Sequence, residues 1–243
     1  MRKIIFAIGL IIVTSAAKAA EPSVLEEFFN AEGIKNKSSA YYGEMLEYYA
    51  GKPTIGEGLP KDVHVNFRKL NETHGSATYA VLLSKEKQTE DLYVFLVNEN
   101  DTWKISAIRS LALPGLFYIA LQEIEKKNPK TADEEWQYQN MILTIKSDSD
   151  LKNYLKTNVT QFNEVVALLS KGNKELSEKT ARKLLINHVE SNDGIIDLNI
   201  GGMIDNSVGY LFVPDGKVPP SMDPSSYIYI ERITDGWYIY KTT

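Results

Sequence analysis

The sequence predicts an α+β protein built from two modules, in each of which helices are followed by an antiparallel β-meander. One observation is a hairpin pattern that occurs twice, at residues 93–105 and 227–239, where aromatic, Asp, Trp and Ile positions match at a constant offset of 134 residues. The other is the order of periodicities, because helical spacing precedes alternating spacing in each half of the chain. The constant offset indicates two related modules in tandem.

A secretory signal peptide is predicted at residues 1–20. A positively charged start is followed by an apolar run over residues 4–13 and by an A-x-A site at residues 17–19. The apolar run is too short to span a bilayer. We therefore expect cleavage after Ala19 or Ala20 and a periplasmic or secreted mature chain without a membrane span.

Charge and cysteine content exclude several classes of partner and chemistry. Loss of residues 1–19 removes three cations and no acids, which takes the formal net charge from −5 to −8. An acidic protein of this kind is not expected to bind nucleic acid, because phosphate contacts need clustered Lys and Arg. The chain has no cysteine, which excludes disulfides, thiol catalysis and Cys-ligated metals.

The first module is predicted to occupy residues 21–112. Apolar residues at helical spacing predict two helices, and alternating apolar residues then predict a meander. The predicted helices are 22–31 and 38–50, and the predicted strands centre on residues 63–67, 77–83, 92–97 and 103–108.

A helical bridge, residues 113–146, is predicted to lead into the second module, residues 147–243. A capping box at residues 131–134 predicts the start of one bridge helix, whereas residues 141–145 fit either helix or strand. The other predicted helices are 115–127, 151–169 with its N-cap in residues 147–150, and 176–188, and the predicted strands are 195–200, 208–213 and the final hairpin.

The repeated hairpin reads DTWKI at residues 101–105 and DGWYI at residues 235–239. With helices before it, this pattern resembles nuclear transport factor-like and cystatin-like folds, and the resemblance implies a curved sheet that wraps a helix. The stretch from Leu151 onward resembles small exported proteins of Gram-negative bacteria, through Phe162-x-x-Val165-x-x-Leu168 and a terminal WYIY. These resemblances imply a compartment and an architecture but no activity.

No residue pattern predicts a catalytic, metal or cofactor site. The histidines, His64, His74 and His188, fit structural positions on a strand, in a turn and near a helix end, and no hydrolase, nucleotide-binding or zinc motif is present. The run Ser147-Asp148-Ser149-Asp150 fits a helix cap better than a calcium loop, because it lacks the turn glycine and the later Glu.

Aromatic residues supply the remaining candidates. Tyr41, Tyr42, Tyr48 and Tyr49 fit either a ligand cleft or the core, and we favour core packing. Trp103 and Trp237 are predicted to be core anchors of equivalent strands.

A C-terminal contact surface is the binding hypothesis. Four of the nine prolines fall in residues 214–226, and long loops on a rigid sheet are uncommon unless they are functional or disordered. The row of tyrosines in the last hairpin is predicted to be exposed beside this loop, as is common at interfaces. The candidate binding residues are Tyr227, Tyr229, Tyr238, Tyr240, Pro219, Pro220 and Met222.

Three functions remain open at this point. The leading one is an exported non-enzymatic protein of the bacterial envelope that binds a protein or an envelope ligand. The second is a small-molecule enzyme with acid–base residues in a helix–sheet cavity, which predicts that Asp62 or His64 points inward. The third is an inhibitor or immunity-type protein, which predicts a protruding 214–226 loop and no pocket.

Overall fold

The computed structural model describes residues 22–243, so the predicted signal peptide lies outside the described residues. The predicted α+β class is confirmed, with helices followed by an antiparallel sheet in each half. The helices are α1 (Ser23–Phe29), α2 (Lys37–Ala40), α3 (Glu44–Tyr49), α4 (Ile55–Gly58), α5 (Gly115–Glu125), α6 (Ala132–Thr144), α7 (Asp148–Thr157), α8 (Val159–Ser170) and α9 (Lys174–Lys183). The strands are β1 (His64–Glu72), β2 (Ser76–Lys85), β3 (Gln88–Glu99), β4 (Thr102–Arg109), β5 (His188–Asn192), β6 (Ile195–Met203), β7 (Asn206–Phe212), β8 (Tyr227–Thr234) and β9 (Trp237–Thr242).

The first sheet has the order β1-β2-β3-β4, and its strand β3 is covered on both faces, whereas one face of the edge strand β1 is open. Val94, Leu96 and Ile105 lie in one core with residues of α1 to α3. Tyr93 and Phe95, which point to the other face, lie in a core shared with the second module. A strand covered on both faces explains why β3 carries an unbroken apolar run instead of an alternating pattern.

The second sheet has the order β5-β6-β7-β9-β8. Its last hairpin is turned round relative to the first sheet, because the last strand, β9, joins β7, whereas in the first sheet the earlier hairpin strand, β3, joins β2. The proline-rich segment between Phe212 and Tyr227 carries the chain past β9 to the sheet edge. The two copies of the hairpin thus share a local sequence pattern but occupy different places in their sheets.

The helix predicted over residues 38–50 is wrong, because the chain breaks it into α2 and α3. Tyr41 is extended, with φ −112° and ψ 154°, and forms a parallel β-bridge with Ile105. Gly43 then turns the chain at φ 54°, a conformation that glycine adopts at little cost. The break places the Tyr41 ring in the first core, where it is 1% exposed.

Two boundaries in the second half also differ from prediction, and a third was left open. The helix over residues 151–169 is divided at Asn158, whose side chain donates to the Tyr154 carbonyl. Helix α9 ends at Lys183, before the predicted end at His188, and residues 188–192 form β5, an edge strand that was not predicted. Residues 141–145, which the pattern left open, continue α6 to Thr144.

The predicted helix caps are confirmed. Thr131 and Glu134 form the capping box of α6, and the Ser147 hydroxyl accepts a hydrogen bond from the Asp150 backbone N–H at the start of α7. Helix α6 packs against β6, where the Asn140 amide donates to the carbonyl of Ile200.

Across residues 22–243, none of the helices combines the length and apolar character that a bilayer crossing requires.

Candidate functional site

The predicted exposed tyrosine row is wrong for two of its four members. Tyr229 is 0% exposed and Tyr240 is 2% exposed, whereas Tyr227 and Tyr238 are half-buried. A register shift between Tyr227 and Tyr229 breaks the strict alternation of β8, as a β-bulge does. It turns the Tyr229 ring into the core shared by the two modules.

The buried hydroxyls of this row have internal partners. The Tyr240 hydroxyl donates to Asp197 Oδ1 at 2.9 Å and accepts from Asn199 at 3.2 Å. The Tyr229 hydroxyl donates to Glu231 Oε2 at 2.5 Å. These groups already form hydrogen bonds, so the row does not offer them to a ligand.

The proline loop contacts the body of the protein at some of its residues, while eight of the thirteen residues 214–226 are exposed. Pro219, Pro220 and Met222 are half-buried, and the Met222 side chain packs against the two cores of the second sheet. The Pro224 carbonyl accepts a hydrogen bond from Arg109 Nε at 2.7 Å. Residues 215–218 remain exposed. The loop therefore has a structural role in covering the second sheet and in tying it to the first module.

The three histidines are exposed, and no pair of them faces a common cavity. His64 lies on the open face of β1, and its neighbour Asp62 pairs with Lys85 at 2.8 Å on the surface. Neither side chain points inward. Within residues 22–243 no cluster of three or more His, Asp or Glu side chains has a geometry that could hold a metal ion.

The tyrosines of residues 41–49 differ in their exposure to solvent. Tyr41 is buried, whereas Tyr42 and Tyr48 are 45% and 58% exposed. Tyr49 is 47% exposed, and it lines a cleft together with Tyr41. Core packing, the interpretation favoured for all four, thus holds for Tyr41 alone.

That cleft has the features of a ligand site. It has a volume of about 490 Å³ and lies between α1, α3 and α4 on one side and the end of β4 on the other. Its lining is mainly apolar and aromatic. The lining residues are Phe28, Tyr41, Met45, Tyr49, Lys52, Pro53, Ile55, Ile108 and Arg109.

The polar groups of the cleft are two cations and two phenols. Lys52 Nζ lies 4.4 Å from the centroid of the Tyr49 ring. Arg109 donates through Nε to Pro224 and through Nη1 to the Ile108 carbonyl at 3.1 Å, and its Nη2 lies 3.5 Å from Glu44. No carboxylate lines the cleft. Both charged side chains of its lining are therefore cations, although the net charge of the protein is negative and Arg109 has Glu44 beside it.

Tyr41 places a protonated hydroxyl at this cleft. Burial, followed by the nearby charge of Glu57, raises the pKa of Tyr41 to about 12. Within residues 22–243 its hydroxyl forms no hydrogen bond, and it is not among the fully buried atoms without a partner, which are Asp148 Oδ2 and Asn206 Oδ1. Since Tyr41 lines the cleft, the hydroxyl is a donor for whatever occupies it.

A second group of charged side chains is buried where the two sheets meet. Lys241 Nζ lies 2.8 Å from Asp148 Oδ1 and 3.6 Å from Asp91 Oδ2, and its side chain is 5% exposed. The Tyr93 hydroxyl donates to Asp148 Oδ1, and the Asp148 backbone N–H donates to Asp91 Oδ2, each at 2.8 Å. Burial, and then the charge of Asp148, raise the pKa of the Asp91 carboxyl.

A polar depression of about 290 Å³ lies beside this group and includes Asp91 and Lys241 in its walls. Lys241 lies against both carboxylates, and Asp148 Oδ2 is buried without a hydrogen-bond partner. The one cation of this depression thus already contacts two acids of the protein. We interpret the network as the connection between β3, α7 and β9 and place the candidate ligand site in the apolar cleft.

Comparison with known proteins gives no family or relative for this chain. No protein-family model, no curated protein and no solved structure matches it. The resemblance to nuclear transport factor-like and cystatin-like folds accordingly stays a prediction, and the site rests on its own geometry.

Several cleft residues belong to no motif and escape sequence-based prediction. Met45 and Ile108 look like ordinary core residues, and Lys52 and Arg109 look like ordinary surface cations. They meet because the chain breaks at Tyr41 and because α3 then packs on β4. The one sequence signal was the tyrosine-rich stretch itself, which includes Tyr41 and Tyr49.

Proposed function

We propose that this chain is an exported, non-enzymatic binding protein of the bacterial envelope, and that its ligand is a small apolar molecule held in the cleft of the first module. The observation that carries the proposal is the open volume of about 490 Å³ with an apolar and aromatic lining. Ligand pockets of folded proteins typically measure about 300–1,000 Å³ and combine such a lining with a few placed polar groups.

Acid–base catalysis in the same cavity has less support. That function needs a proton-transferring side chain within reach of a bound substrate. Asp62 and His64, the two candidates, are exposed on the outer side of the first sheet. The polar groups that line the cleft are Lys52, Arg109 and phenols, which suit binding of a polar end group.

A loop-based inhibitor also has less support. Such a protein presents a rigid loop that stands clear of its body, whereas Pro219, Pro220 and Met222 are half-buried against the second sheet. The loop is exposed at residues 215–218 and at Ser221, Asp223, Ser225 and Ser226, and the half-buried residues between them hold it against the body of the protein.

Export is proposed on the basis of the N-terminal sequence. The charged start, the apolar run and the A-x-A site at residues 17–19 support it. Expression of the whole chain in a Gram-negative host, followed by mass spectrometry of the periplasmic fraction, tests it. A mature N-terminus at Ala20 or Glu21 is expected, and an unprocessed cytoplasmic chain would contradict the proposal.

Binding is tested on the mature chain with the neutral apolar dye N-phenyl-1-naphthylamine. The mature chain contains four methionines, Met45, Met141, Met203 and Met222, of which Met45 alone lines the cleft. With isotope-labelled methionine methyl groups, the dye is expected to shift the NMR signal of Met45 and leave the other three in place. Saturable binding without a Met45 shift would place the dye elsewhere and overturn the proposal.

A filled cleft provides the matching variant. Ile108→Trp places a larger side chain in the cleft wall, and Val218→Trp adds the same group at a position that is 81% exposed. Equilibrium dialysis is expected to show at least a tenfold loss of dye affinity for the first variant and none for the second. Unchanged affinity in a folded Ile108→Trp protein would contradict the assignment.

A further inference from the structure

We infer that the ligand of the cleft is a single-chain amphiphile with a carboxylate head, of the class of free fatty acids. Its chain lies against Met45, Ile55 and Ile108, and its head lies at the rim with Lys52 and Arg109. This inference rests on the proposed function, because it names the chemistry of the molecule that occupies the same cleft.

The charge of the rim selects an anion. Lys52 and Arg109 line the cleft and no Asp or Glu does, although the chain as a whole has 32 acidic and 27 basic residues. An excess of positive charge at the mouth of an apolar cavity attracts an anionic head and repels a cationic one. A fully apolar ligand would leave both cations without a role in binding.

Lys52 is available for such a head. Within residues 22–243 its ammonium group forms no ion pair and no side-chain hydrogen bond, and its contact is the face of the Tyr49 ring. The backbone at this position is held by Lys37, whose Nζ donates to the Lys52 carbonyl. The lysine is thus fixed at its base and free at its charged end.

Arg109 has capacity left as well. A guanidinium group carries five N–H donors, and hydrogen bonds to Pro224 and Ile108 occupy two of them. The remaining charged contact, to Glu44, is long at 3.5 Å, and the Glu44 side chain is 70% exposed. A ligand carboxylate can replace this contact without leaving a buried acid unpaired.

The Tyr41 hydroxyl supplies the second, independent observation. The residue is 1% exposed, it lines the cleft, and its hydroxyl has no partner in the described chain. A hydroxyl in this position donates to a ligand oxygen, and Tyr41 stays protonated because burial raises its pKa to about 12. Hydrogen bonds to a charged acceptor are roughly twice as strong as those between neutral groups.

The volume restricts the apolar part to one chain. About 490 Å³ lies in the lower half of the range for small-molecule pockets. A second chain would need additional apolar surface beyond the cleft. A free fatty acid therefore fits this site better than a two-chain membrane lipid.

The test compares three molecules of equal chain length on the mature protein: decanoate, decanol and decyltrimethylammonium. Isothermal titration calorimetry near neutral pH is expected to show decanoate bound about tenfold more tightly than decanol, with the cationic analogue weakest. Added salt is expected to weaken decanoate and not decanol. All three titrations are repeated with the Met45 methyl signal as the readout of position.

Lys52→Met removes the free cation and keeps an apolar chain of similar length. We expect it to reduce the preference for decanoate over decanol at least fivefold with decanol affinity retained, and Lys52→Arg to restore the preference. Lys61→Met, at an exposed lysine that does not line the cleft, is the matched control and is expected to change nothing.

The outcomes separate this inference from the proposed function. Equal binding of decanoate and decanol with a Met45 shift overturns the carboxylate head and leaves the apolar site in place. No binding of any chain, and no Met45 shift, overturns both. Binding to vesicles of anionic phospholipid with no binding of monomeric decanoate overturns the free fatty acid as the ligand.

Discussion

Tyr93 on β3 and Tyr229 on β8 stack on each other where the two sheets meet, with ring centroids 4.8 Å apart and ring planes 16° apart. Both residues are 0% exposed. Their hydroxyls point to separate acids, Asp148 for Tyr93 and Glu231 for Tyr229. The stacked rings therefore bury apolar area between the two modules. Their hydroxyls also join the pair to two polar groups, one around Asp148 and one around Glu231.

The stack predicts that alanine substitutions at Tyr229 and Tyr238, which the sequence pattern places in one row, differ greatly in their cost to stability. Tyr229→Ala is expected to reduce the free energy of unfolding by about 3–5 kcal/mol, the usual cost of removing a buried aromatic ring. Tyr238→Ala, at a half-buried position, is expected to cost about 1 kcal/mol or less. Urea denaturation followed by circular dichroism measures both values.

Tyr229→Phe refines the same experiment. It keeps the ring against Tyr93 and removes only the hydroxyl, while Glu231 keeps Arg68 and Lys152 at 2.8 and 3.0 Å. We expect a cost of about 1 kcal/mol, the typical net value of one hydrogen bond. If Tyr229→Ala and Tyr238→Ala cost the same, the ring of Tyr229 does not carry the junction.

Lys241 gives a second prediction at the junction. Lys241→Met leaves Asp148 and Asp91 buried without their cation, and the loss of one partner of a buried pair costs about 3–5 kcal/mol. Lys241→Met combined with Asp148→Asn is expected to cost clearly less than the sum of the two single changes, because only Asp91 is then left without the cation. A double-mutant cycle in urea measures the coupling.

An exposed ion pair provides the control for that cycle. Lys126 and Glu123 lie 2.9 Å apart, with side chains 69% and 65% exposed. Pairs of this kind contribute about 0.5 kcal/mol or less, so Lys126→Met is expected to change stability little. Additive costs at Lys241 and Asp148 would show that the buried contact contributes nothing of its own.

The fold class and most strands could be predicted because each depends on local pattern. Alternation of apolar and polar residues predicts β1, and the turn residues before Trp103 and Trp237 predict both closing hairpins. Trp237 is a core anchor as predicted, 1% exposed with its indole N–H on Asn163. Trp103 packs partly buried against the first core.

The remaining features depend on contacts between distant parts of the chain. A bulge between Tyr227 and Tyr229 turns the Tyr229 ring toward the shared core, and no residue at that place predicts the bulge. The order of the second sheet depends on where β8 docks after the proline loop. The cleft exists because Tyr41 leaves the helical path to pair with Ile105, 64 positions later, and such pairing cannot be read from helical spacing.

Asp197 predicts a specific dependence of stability on pH. Burial is the main reason that its pKa is raised from 3.8 to about 6, with Glu190 adding to the effect and Tyr240 and His188 opposing it. Between these values the folded protein holds a proton that the unfolded chain has released, so the free energy of unfolding falls as pH rises through this window. Above the folded pKa of about 6, the buried and ionised Asp197 carboxylate destabilises the folded protein by its full amount.

Asp197→Asn removes that titration and keeps an oxygen for the Tyr240 hydroxyl. We expect a gain of about 1–3 kcal/mol in unfolding free energy near neutral pH and little change near pH 4, where the native carboxyl is already protonated. Asp215→Asn, in the exposed part of the proline loop, is the control. A uniform effect of Asp197→Asn across this range would exclude the buried carboxyl as its source.

Two glycines of α4 give a matched pair of tests for how the cleft is shaped. A Cβ on Gly56 would lie 2.2 Å from the Asn30 carbonyl oxygen and 2.3 Å from the Phe29 carbonyl carbon, whereas a Cβ on Gly58 meets nothing within 4 Å. Because the obstructing atoms are backbone, Gly56→Ala must push α4 away from α1. We expect it to cost about 1–3 kcal/mol.

Both helices line the cleft, since Phe28 lies on α1 and Ile55 on α4. Gly56→Ala should therefore weaken dye binding together with stability. Gly58→Ala adds the same methyl group two residues away, restricts the unfolded chain, and is expected to be neutral or stabilising by up to about 1 kcal/mol. Thermal melts and equilibrium dialysis of the two variants measure both properties, and equal behaviour would mean that the close contact of α1 with α4 does not shape the cleft.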